Sequence, residues 1–158
     1  MSVEKVREYL NRWGRGKDVI EMSISTATVD LAASALGVIP ARIAKSISLR
    51  NDGGPIIIVT CGDMKIDNHK FRGEFKFKAR MLSAEEAFEQ TGHAIGGVCP
   101  FALPPEAAVY LDSSLKRFDT IFPACGSHNS LIELTAAELE EYSQCRGWVD
   151  VCAAIPSV

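Results

Sequence analysis

The strongest structural signal in the sequence is Lys45-Ser-Ile-Ser-Leu-Arg-Asn-Asp-Gly-Gly-Pro-Ile-Ile-Ile-Val-Thr-Cys61. Residues 45–50 alternate between polar and apolar side chains, as a strand with one wet face does. Residues 51–55 have the composition of a turn. Residues 56–61 are continuously apolar and β-branched, which indicates a strand buried on both faces. The stretch therefore predicts a hairpin at the centre of a sheet.

Helices are predicted on both sides of this hairpin from their capping signals. A Ser or Thr followed three residues later by Glu forms a capping box, and the sequence contains one at Ser83 and one at Thr135. Thr28 precedes a helical pattern that Gly37 ends. The predicted helices run from Glu4 to about Trp13, from Val29 to Leu36, from Ser83 to about Gln90, and onward from Thr135.

Short strands are predicted between and after these helices, at residues 75–80, 108–111, 120–122 and 130–134. Several of the links between strands are too short for a parallel crossover. We therefore expect an α/β (α+β) fold with a mixed, curved, barrel-like β-sheet and surrounding helices. At 158 residues, the chain is expected to form one domain spanning residues 1–158.

Composition narrows the class of protein. An apolar content of 47% with 23% charged residues is ordinary for a globular protein. No stretch approaches the roughly 18 apolar residues of a membrane-spanning helix, so no membrane partner is expected. Five cysteines are an odd number without a CxxC pair, which favours the reducing cytoplasm over a disulfide scaffold.

Charge is distributed unevenly along the chain, although the net charge is only −3. Residues 65–80 hold six basic and two acidic side chains, whereas residues 81–158 hold three basic and eleven acidic ones. Such a segment can bind a few phosphates but not a long duplex, so DNA is not an expected partner. The other interpretation is a solvated strand edge guarded by lysines. The candidate phosphate-binding residues are Lys65, Lys70, Arg72, Lys76 and Lys78.

A second informative stretch is Gly92-His-Ala-Ile-Gly-Gly-Val-Cys-Pro-Phe101. Glycines let a ligand approach the backbone, and consecutive free N–H groups can hold a carbonyl or phosphate oxygen. The alternative is a plain connector after a helix that Gly92 caps. Because the loop lacks the trailing Lys-Ser/Thr of a P-loop, a nucleoside triphosphatase is disfavoured.

Other polar residues have both a functional and a structural interpretation. Lys45 at the start of a strand is either a surface lysine or a cation in a cleft. The loop Gly126-Ser-His-Asn129 is either a turn or a pair of donors at a site. Cys99 could act as a nucleophile with a histidine partner, but free cysteines are more often small buried hydrophobes.

No metal or other cofactor is expected. Asp63, Asp67 and His69 are close in sequence, but they match none of the common metal-binding patterns. A charged loop after a strand is the simpler interpretation of these three residues.

Four segments together resemble the YbaK/EbsC family. They are Ala44-Lys-Ser46, the loop of residues 92–101, Tyr110-Leu-Asp112, and the region from Gly126 through Leu131-Ile-Glu-Leu-Thr135 to Leu139. The resemblance extends from roughly Thr28 to Leu139. This family includes free-standing relatives of the editing domain inserted in bacterial prolyl-tRNA synthetases.

The resemblance implies a cofactor-independent hydrolase that deacylates mischarged tRNA in trans. Lys45 matches the essential lysine of the family, which faces the aminoacylated 3′ end. Gly96, Gly97 and the residues through Pro100 match a GxxxP loop that holds the terminal adenosine and the ester. His128 matches a histidine near the substrate. Further residues expected at the substrate are Ile95, Val98, Cys99, Pro100, Phe101, Ser127 and Asn129.

The implied partners are the CCA end and acceptor stem of an aminoacyl-tRNA, with a prolyl-tRNA synthetase as a further candidate. The expected substrate is tRNA(Pro) carrying alanine, cysteine or another small amino acid. Cys99 departs from the serine-like residue expected in the loop, and residues 126–129 differ from the loop of the cysteine-specific branch. The alternative functions are an inactive module that binds tRNA or an aminoacyl ligand, and a thiol hydrolase that uses Cys99.

Overall fold

The computed structural model describes residues 2–156 of the chain. The α-helices in this range are α1 (Ser2–Leu10), α2 (Val29–Leu36), α3 (Asn68–Phe75), α4 (Ala84–Thr91) and α5 (Ala136–Ser143). The strands are β1 (Ile20–Glu21), β2 (Ile43–Leu49), β3 (Ile56–Cys61), β4 (Met64–Ile66), β5 (Ala108–Asp112), β6 (Phe122–Pro123), β7 (Ser130–Leu131), β8 (Gly147–Val149) and β9 (Cys152–Ala154).

The main sheet has five strands in the order β6-β2-β3-β5-β8. β2 and β3 form the predicted antiparallel hairpin, and Lys45 pairs with Thr60 across it. The other three pairs of strands are parallel. Every residue of β3 is buried, as the apolar run predicts for a central strand. The mixed α/β fold with its central hairpin is therefore confirmed.

Hydrogen bonding continues beyond β6 into a smaller pair of strands. Ala124 bridges to Leu131, Ile121 bridges to Leu134, and β7 pairs with β1. A second two-stranded sheet joins β4 and β9. The sheet thus extends around one side of the molecule, while complete closure into a barrel stays a prediction.

The core occupies both faces of the main sheet. Ile57 and Val59 of β3 face a cluster that includes Val6 and Leu10 of α1. Ile58 and its neighbours on the opposite face pack with Phe71 of α3. This division follows from the alternation of side chains along a strand.

The capping signals of the sequence are confirmed. The Thr28 hydroxyl accepts a hydrogen bond from the Leu31 N–H, and both capping boxes, at Ser83 and Thr135, are formed. The first helix begins at Ser2, and its last predicted turn is a 3₁₀ helix, Asn11–Trp13. Among the described residues, no helix combines the length and the apolar character needed to cross a bilayer.

The strand predicted at residues 75–80 is wrong. Asp67 accepts a hydrogen bond from the Lys70 N–H and thereby caps α3, which ends at Phe75. Lys76 then adopts a left-handed conformation, with φ at 69°. This reversal lets Phe75 and Phe77 both pack near Phe71, with ring centroids 4.6 and 5.5 Å from it. The alternation of Phe and Lys therefore reflects a helix end rather than a strand.

Candidate functional site

Lys45 lies on β2 and lines a cleft between the sheet and α4. Its Nζ atom donates a hydrogen bond to the carbonyl oxygen of Gly62, 3.3 Å away. Burial lowers the pKa of the Lys45 ammonium, and nearby acidic groups, including Asp63, partly oppose this effect. The remaining N–H donors of Nζ are available to an anion or a carbonyl group.

Gly62 is needed at its position because three segments meet there. A Cβ atom on Gly62 would lie 2.2 Å from the Pro40 carbonyl oxygen and 2.6 Å from a methyl group of Val29. Only glycine lets the end of β3 approach the start of α2 this closely. This close packing fixes the position of the Gly62 carbonyl group, which accepts the hydrogen bond from Lys45.

The glycine loop of residues 92–101 contains a tight turn at Ala94–Gly97. The Gly97 N–H donates to the Ala94 carbonyl oxygen at 2.9 Å, and Gly96 has a φ of +86°. A positive φ at the third residue is what a type II turn requires. The Gly97 amide is thus used within the turn, whereas the amides of Gly96 and Val98 donate to no protein acceptor in residues 2–156.

The two loops predicted to form the site are brought together. A Cβ atom on Gly97 would lie 2.7 Å from the Gly126 carbonyl carbon and from the Ser127 nitrogen. His128 is exposed, and its Cβ atom would lie 3.7 Å from a Cβ atom on Gly96. The Cβ atom of His128 is therefore next to the turn, although His128 is not among the residues that line the cleft.

Ser127 and Asn129 hold their own loop in place. The Ser127 hydroxyl donates to Asn129 Oδ1 at 2.9 Å and lies 2.7 Å from Ser130 Oγ. The Asn129 Nδ2 group donates to the Met22 carbonyl oxygen at 2.9 Å. Both side chains are thus engaged by the protein, so their contribution is to the shape of the loop that carries His128.

The cleft has a volume of about 220 Å³. This value is below the roughly 300–1,000 Å³ of typical ligand pockets, so the cleft suits a small group attached to a larger ligand. Among the described residues that line it, Lys45 is the only one with a titratable side chain. The lining residues are Thr26, Ala27, Thr28, Val29, Ile43, Ala44, Lys45, Ser46, Ile47, Ser48, Met81, Leu82, Ser83, Ala84, Ala87, Ile95, Gly96, Val98, Ala124 and Leu131.

Not every residue predicted in the site faces this cleft. Lys45, Ile95, Gly96 and Val98 line it, and Ile95 is 73% exposed at its rim. The side chains of Cys99 and Phe101 are completely buried in the core, and Pro100 is buried as well. These three residues therefore pack on the buried side of the loop and do not line the cleft.

The environment of Cys99 does not favour nucleophilic chemistry. Burial raises the pKa of its thiol to about 12. A nucleophilic cysteine needs access to solvent and a lowered pKa. The structure thus argues against the thiol hydrolase considered from the sequence.

The predicted phosphate-binding residues lie outside the cleft lining. Lys65 is on β4, Lys70 and Arg72 are on α3, and Lys76 and Lys78 follow α3. All five are exposed, but the Lys70 Nζ atom is 3.1 Å from Asp150 Oδ1.

This basic segment leads directly to the cleft. Met81 bridges to Leu49 of β2, and the Leu82 N–H donates to the Ser48 carbonyl oxygen at 3.0 Å. Both Met81 and Leu82 line the cleft. A long anionic ligand could therefore follow the segment from α3 to the cleft.

Residues 2–156 contain no group of three or more His, Cys, Asp or Glu side chains placed to hold a metal ion. Asp67 caps α3, and Asp63 forms a bidentate ion pair with Arg117. Asp63 and Asp67 thus have structural partners.

Sequence reasoning missed Ser46 as a candidate. Its hydroxyl oxygen is a buried side-chain polar atom without a hydrogen-bond partner in the described part of the chain, and Ser46 lines the cleft. Buried polar atoms are nearly always paired, so an exception beside a cleft points to a ligand. Its position directly after Lys45 was the only available signal.

Comparisons with known proteins identify the family of the chain. The family model described as "Aminoacyl-tRNA editing domain" matches residues 24–142. YwhH of Bacillus subtilis is 58% identical to the chain over 153 residues, covering 96% of the chain and 98% of YwhH.

Two further similar proteins have names that state an activity. EbsC of Enterococcus faecalis, named for a proposed Cys-tRNA(Pro)/Cys-tRNA(Cys) deacylase activity, is 26% identical over 109 residues, covering 68% of the chain and 66% of EbsC. A solved structure described as a proposed trans-editing enzyme for prolyl tRNA synthetase is 28% identical, with a TM-score of 0.86. The match covers 97% of the chain and 98% of the protein in that structure.

Proposed function

Because the chain belongs to the aminoacyl-tRNA editing domain family, as its resemblance to YbaK and EbsC proteins predicts, we propose that it hydrolyses the ester bond of mischarged aminoacyl-tRNA in trans. The observation that supports this most is that Lys45 and Gly96 line one small cleft, while the loop of His128 packs against the glycine loop at Gly96 and Gly97. We propose a cytoplasmic site of action, where such substrates are made.

The proposed role of the Gly96 and Val98 amides is to stabilise negative charge. Water adds to the ester carbonyl carbon, and the carbonyl oxygen becomes an oxyanion. Preorganised N–H donors without other partners stabilise such an oxyanion in a site with little water. The bond to the ribose oxygen then breaks, that oxygen receives a proton, and the amino acid and free tRNA leave.

Lys45 is proposed to anchor the 3′ end of the tRNA. Its ammonium is a compact cation that can bind a phosphate or polarise a carbonyl group. Since no carboxylate or imidazole lines the cleft in the described residues, the proton of the attacking water is proposed to pass to a ribose hydroxyl of the tRNA or to bulk water. His128, next to Gly96, is proposed to position the terminal nucleoside.

The size of the cleft favours a small amino acid. Its lining is largely apolar and includes both short side chains, such as Ala44 and Ala87, and longer ones, such as Ile47 and Leu131. The cleft volume suits the aminoacyl group, while the adenosine would bind at the mouth. Alanine or cysteine on tRNA(Pro) is therefore the proposed substrate.

The exposed basic residues are proposed to contact the acceptor stem. Lys65, Arg72 and Lys78 form no ion pair within residues 2–156, so their charges are available to phosphates. Contacts of this kind position a nucleic acid without reading its sequence. Lys70 would have to exchange Asp150 for a phosphate, and Lys76 would contribute from the turn after α3.

Deacylation of a small panel tests the proposal. The substrates are Ala-, Ser- and Cys-tRNA(Pro), with Pro-tRNA(Pro) as the correctly charged control. Each is incubated with the wild type, with Lys45→Ala, and with Lys17→Ala, whose lysine is exposed on a 3₁₀ helix away from the cleft.

We expect hydrolysis of at least one mischarged substrate by the wild type and by Lys17→Ala, and loss of it in Lys45→Ala. Hydrolysis by all three proteins would contradict the role of Lys45. Tight tRNA binding without hydrolysis of any substrate would favour a binding module instead.

A further inference from the structure

His93 is a buried titratable residue for which the proposed reaction has no role. Its side chain is completely buried, although it begins the glycine loop. Its Nε2 atom lies 2.8 Å from the Phe101 carbonyl oxygen, and its Nδ1 atom lies 2.6 Å from the Ser2 hydroxyl oxygen. Each ring nitrogen therefore has one close oxygen partner.

These partners determine the protonation of the ring. A carbonyl oxygen only accepts hydrogen bonds, so Nε2 carries the proton and donates it to Phe101. In the neutral ring, Nδ1 then accepts from the Ser2 hydroxyl. Burial lowers the pKa of His93, which agrees with a neutral ring.

The ring connects the two ends of the glycine loop. His93 opens the segment that contains the Gly96 turn, and Phe101 closes it, so the bond from Nε2 to Phe101 sets the distance between the ends. The His93 N–H donates to the Thr91 hydroxyl at 3.1 Å, and this hydroxyl donates to the Ala87 carbonyl oxygen at 2.6 Å. The start of the loop is thereby attached to α4 as well.

The contact with Ser2 extends this connection to the second loop. A Cβ atom on Gly126 would lie 2.8 Å from the Ser2 carbonyl oxygen, so the first turn of α1 packs directly against residue 126. The same residue of α1 therefore contacts His93 through its side chain and Gly126 through its backbone.

We propose that His93 is a positioning residue that holds the Gly96 and Val98 amides in place through Phe101 and Ser2. The expected effect of His93 on catalysis rests on the proposed function. Its effect on the position of the loop does not, because that effect concerns only the structure of the protein. The ring acts by fixing the backbone and does not touch the substrate.

Two substitutions distinguish between the hydrogen bonds made by the two ring nitrogens of His93. In His93→Gln, an amide N–H can take the place of Nε2 and donate to Phe101. In His93→Asn, the amide takes the place of Nδ1 and is too short to reach Phe101. Val109→Ala, which removes buried side-chain volume from β5, serves as a control for a general loss of stability.

Deacylation kinetics give the first measurement. Small displacements of catalytic groups cost up to about a hundredfold in rate, so we expect His93→Asn to lower kcat by about ten- to a hundredfold with little change in KM. We expect His93→Gln to recover most of this loss and Val109→Ala to keep the wild-type kcat. Equal values of kcat in His93→Asn and Val109→Ala would overturn the proposal.

Hydrogen–deuterium exchange gives a second measurement that needs no substrate. We expect the Gly97 amide, which donates to the Ala94 carbonyl oxygen within the turn, to exchange faster in His93→Asn than in the wild type, His93→Gln or Val109→Ala. Unchanged exchange in His93→Asn would overturn the proposal. If the wild type deacylates no substrate, the proposed function fails, and exchange still decides the role of His93.

A milder variant covers the case in which His93→Asn does not fold. Ser2→Ala removes only the hydroxyl that donates to Nδ1. We expect faster exchange of the Gly97 amide in this variant too, and exchange identical to that of the wild type would count against the proposal.

Discussion

The backbones of Gly97 and Gly126 meet with no space for a side chain between them, because a Cβ atom on Gly97 would lie 2.7 Å from the Gly126 carbonyl carbon. This contact joins the glycine loop to the loop of His128. Neither loop alone contains both the amides and the imidazole of the proposed site. The arrangement of the site therefore depends on a contact between two residues without side chains.

Substitution of Gly97 by alanine should separate these loops. The added methyl group meets backbone atoms, which cannot rotate away, so we expect a loss of about 1–3 kcal/mol in the free energy of unfolding. We also expect deacylation to fall. Urea denaturation and initial rates measure the two effects.

Gly73→Ala is the matched control for this substitution. Gly73 lies within α3, and nothing is within 4 Å of the position of its Cβ atom. Alanine in a helix is favoured over glycine, so we expect a gain of about 0.5–1 kcal/mol in stability. If Gly97→Ala behaved like Gly73→Ala, the close contact between the loops would be disproved.

Replacing Ser46 by alanine should affect the free protein and the reaction in opposite directions. The hydroxyl is buried without a partner, so its removal should raise the melting temperature. If the hydroxyl binds the substrate, its loss should lower kcat/KM by roughly fivefold, which corresponds to about 1 kcal/mol. Ser34→Ala, at an exposed position of α2, should leave kcat/KM unchanged. An unchanged kcat/KM in Ser46→Ala would mean that the hydroxyl does not contact the substrate.

Lys45→Met should be more stable than the wild type at pH 7 and inactive. Burial disfavours the charged form of Lys45, and its pKa is lowered in the folded protein. The full destabilisation is present below that lowered pKa and disappears as the pH rises towards 10.5, the ordinary value for lysine. The stability advantage of Lys45→Met should therefore shrink at alkaline pH.

Urea denaturation at several pH values checks this prediction, with Lys17→Met as the control at an exposed lysine. Lower stability of Lys45→Met at pH 7 would contradict it, since the hydrogen bond to Gly62 would then outweigh the cost of burying the charge.

The affinity for tRNA should fall steeply with salt concentration. Each phosphate contact makes the slope of log binding constant against log salt concentration steeper, that is more negative, by about 1. We expect Lys78→Ala to weaken binding and to reduce this slope by about 1, whereas Lys17→Ala should leave it unchanged. Filter binding between low and moderate salt measures both. A flat response of the wild type would assign residues 65–80 to an ordinary exposed surface.

Cys99→Ala should keep most of the deacylation activity and lose stability. The thiol is fully buried and its pKa is raised to about 12, so it is not available as a nucleophile. Rate measurements and thermal denaturation test the two parts. Complete loss of activity in a variant that still folds would restore the thiol hydrolase hypothesis.

Much of the fold was predictable because its signals are local. The hydroxyls of Thr28, Ser83 and Thr135 start helices through hydrogen bonds only three residues away. The hairpin at residues 45–61 has a pattern of its own. In contrast, β1 and β7 have two residues each, and β4, β8 and β9 have three, which is too few for a periodic pattern.

The candidate site was predictable in outline but not in detail. Glycines marked the loop of residues 92–101, and the family resemblance identified Lys45. The direction of a side chain within a loop is set by distant packing, so the sequence placed Cys99 at the substrate although it lies in the core. The lack of a partner for Ser46 and the contact between Gly97 and Gly126 likewise depend on residues far apart in the chain.

The contacts of Ser2 also concern the order in which the protein folds. Its hydroxyl reaches residues 92 and 93 across separations of 90 and 91 positions, and its backbone reaches Gly126 further on. Contacts this distant in sequence require closing long loops, which makes them slow to form. The return of activity after dilution from urea would therefore report the docking of α1, later than the recovery of helical signal. A chain with its helices and the hairpin of residues 45–61 formed would still lack the contacts of Ser2 with the glycine loop and Gly126.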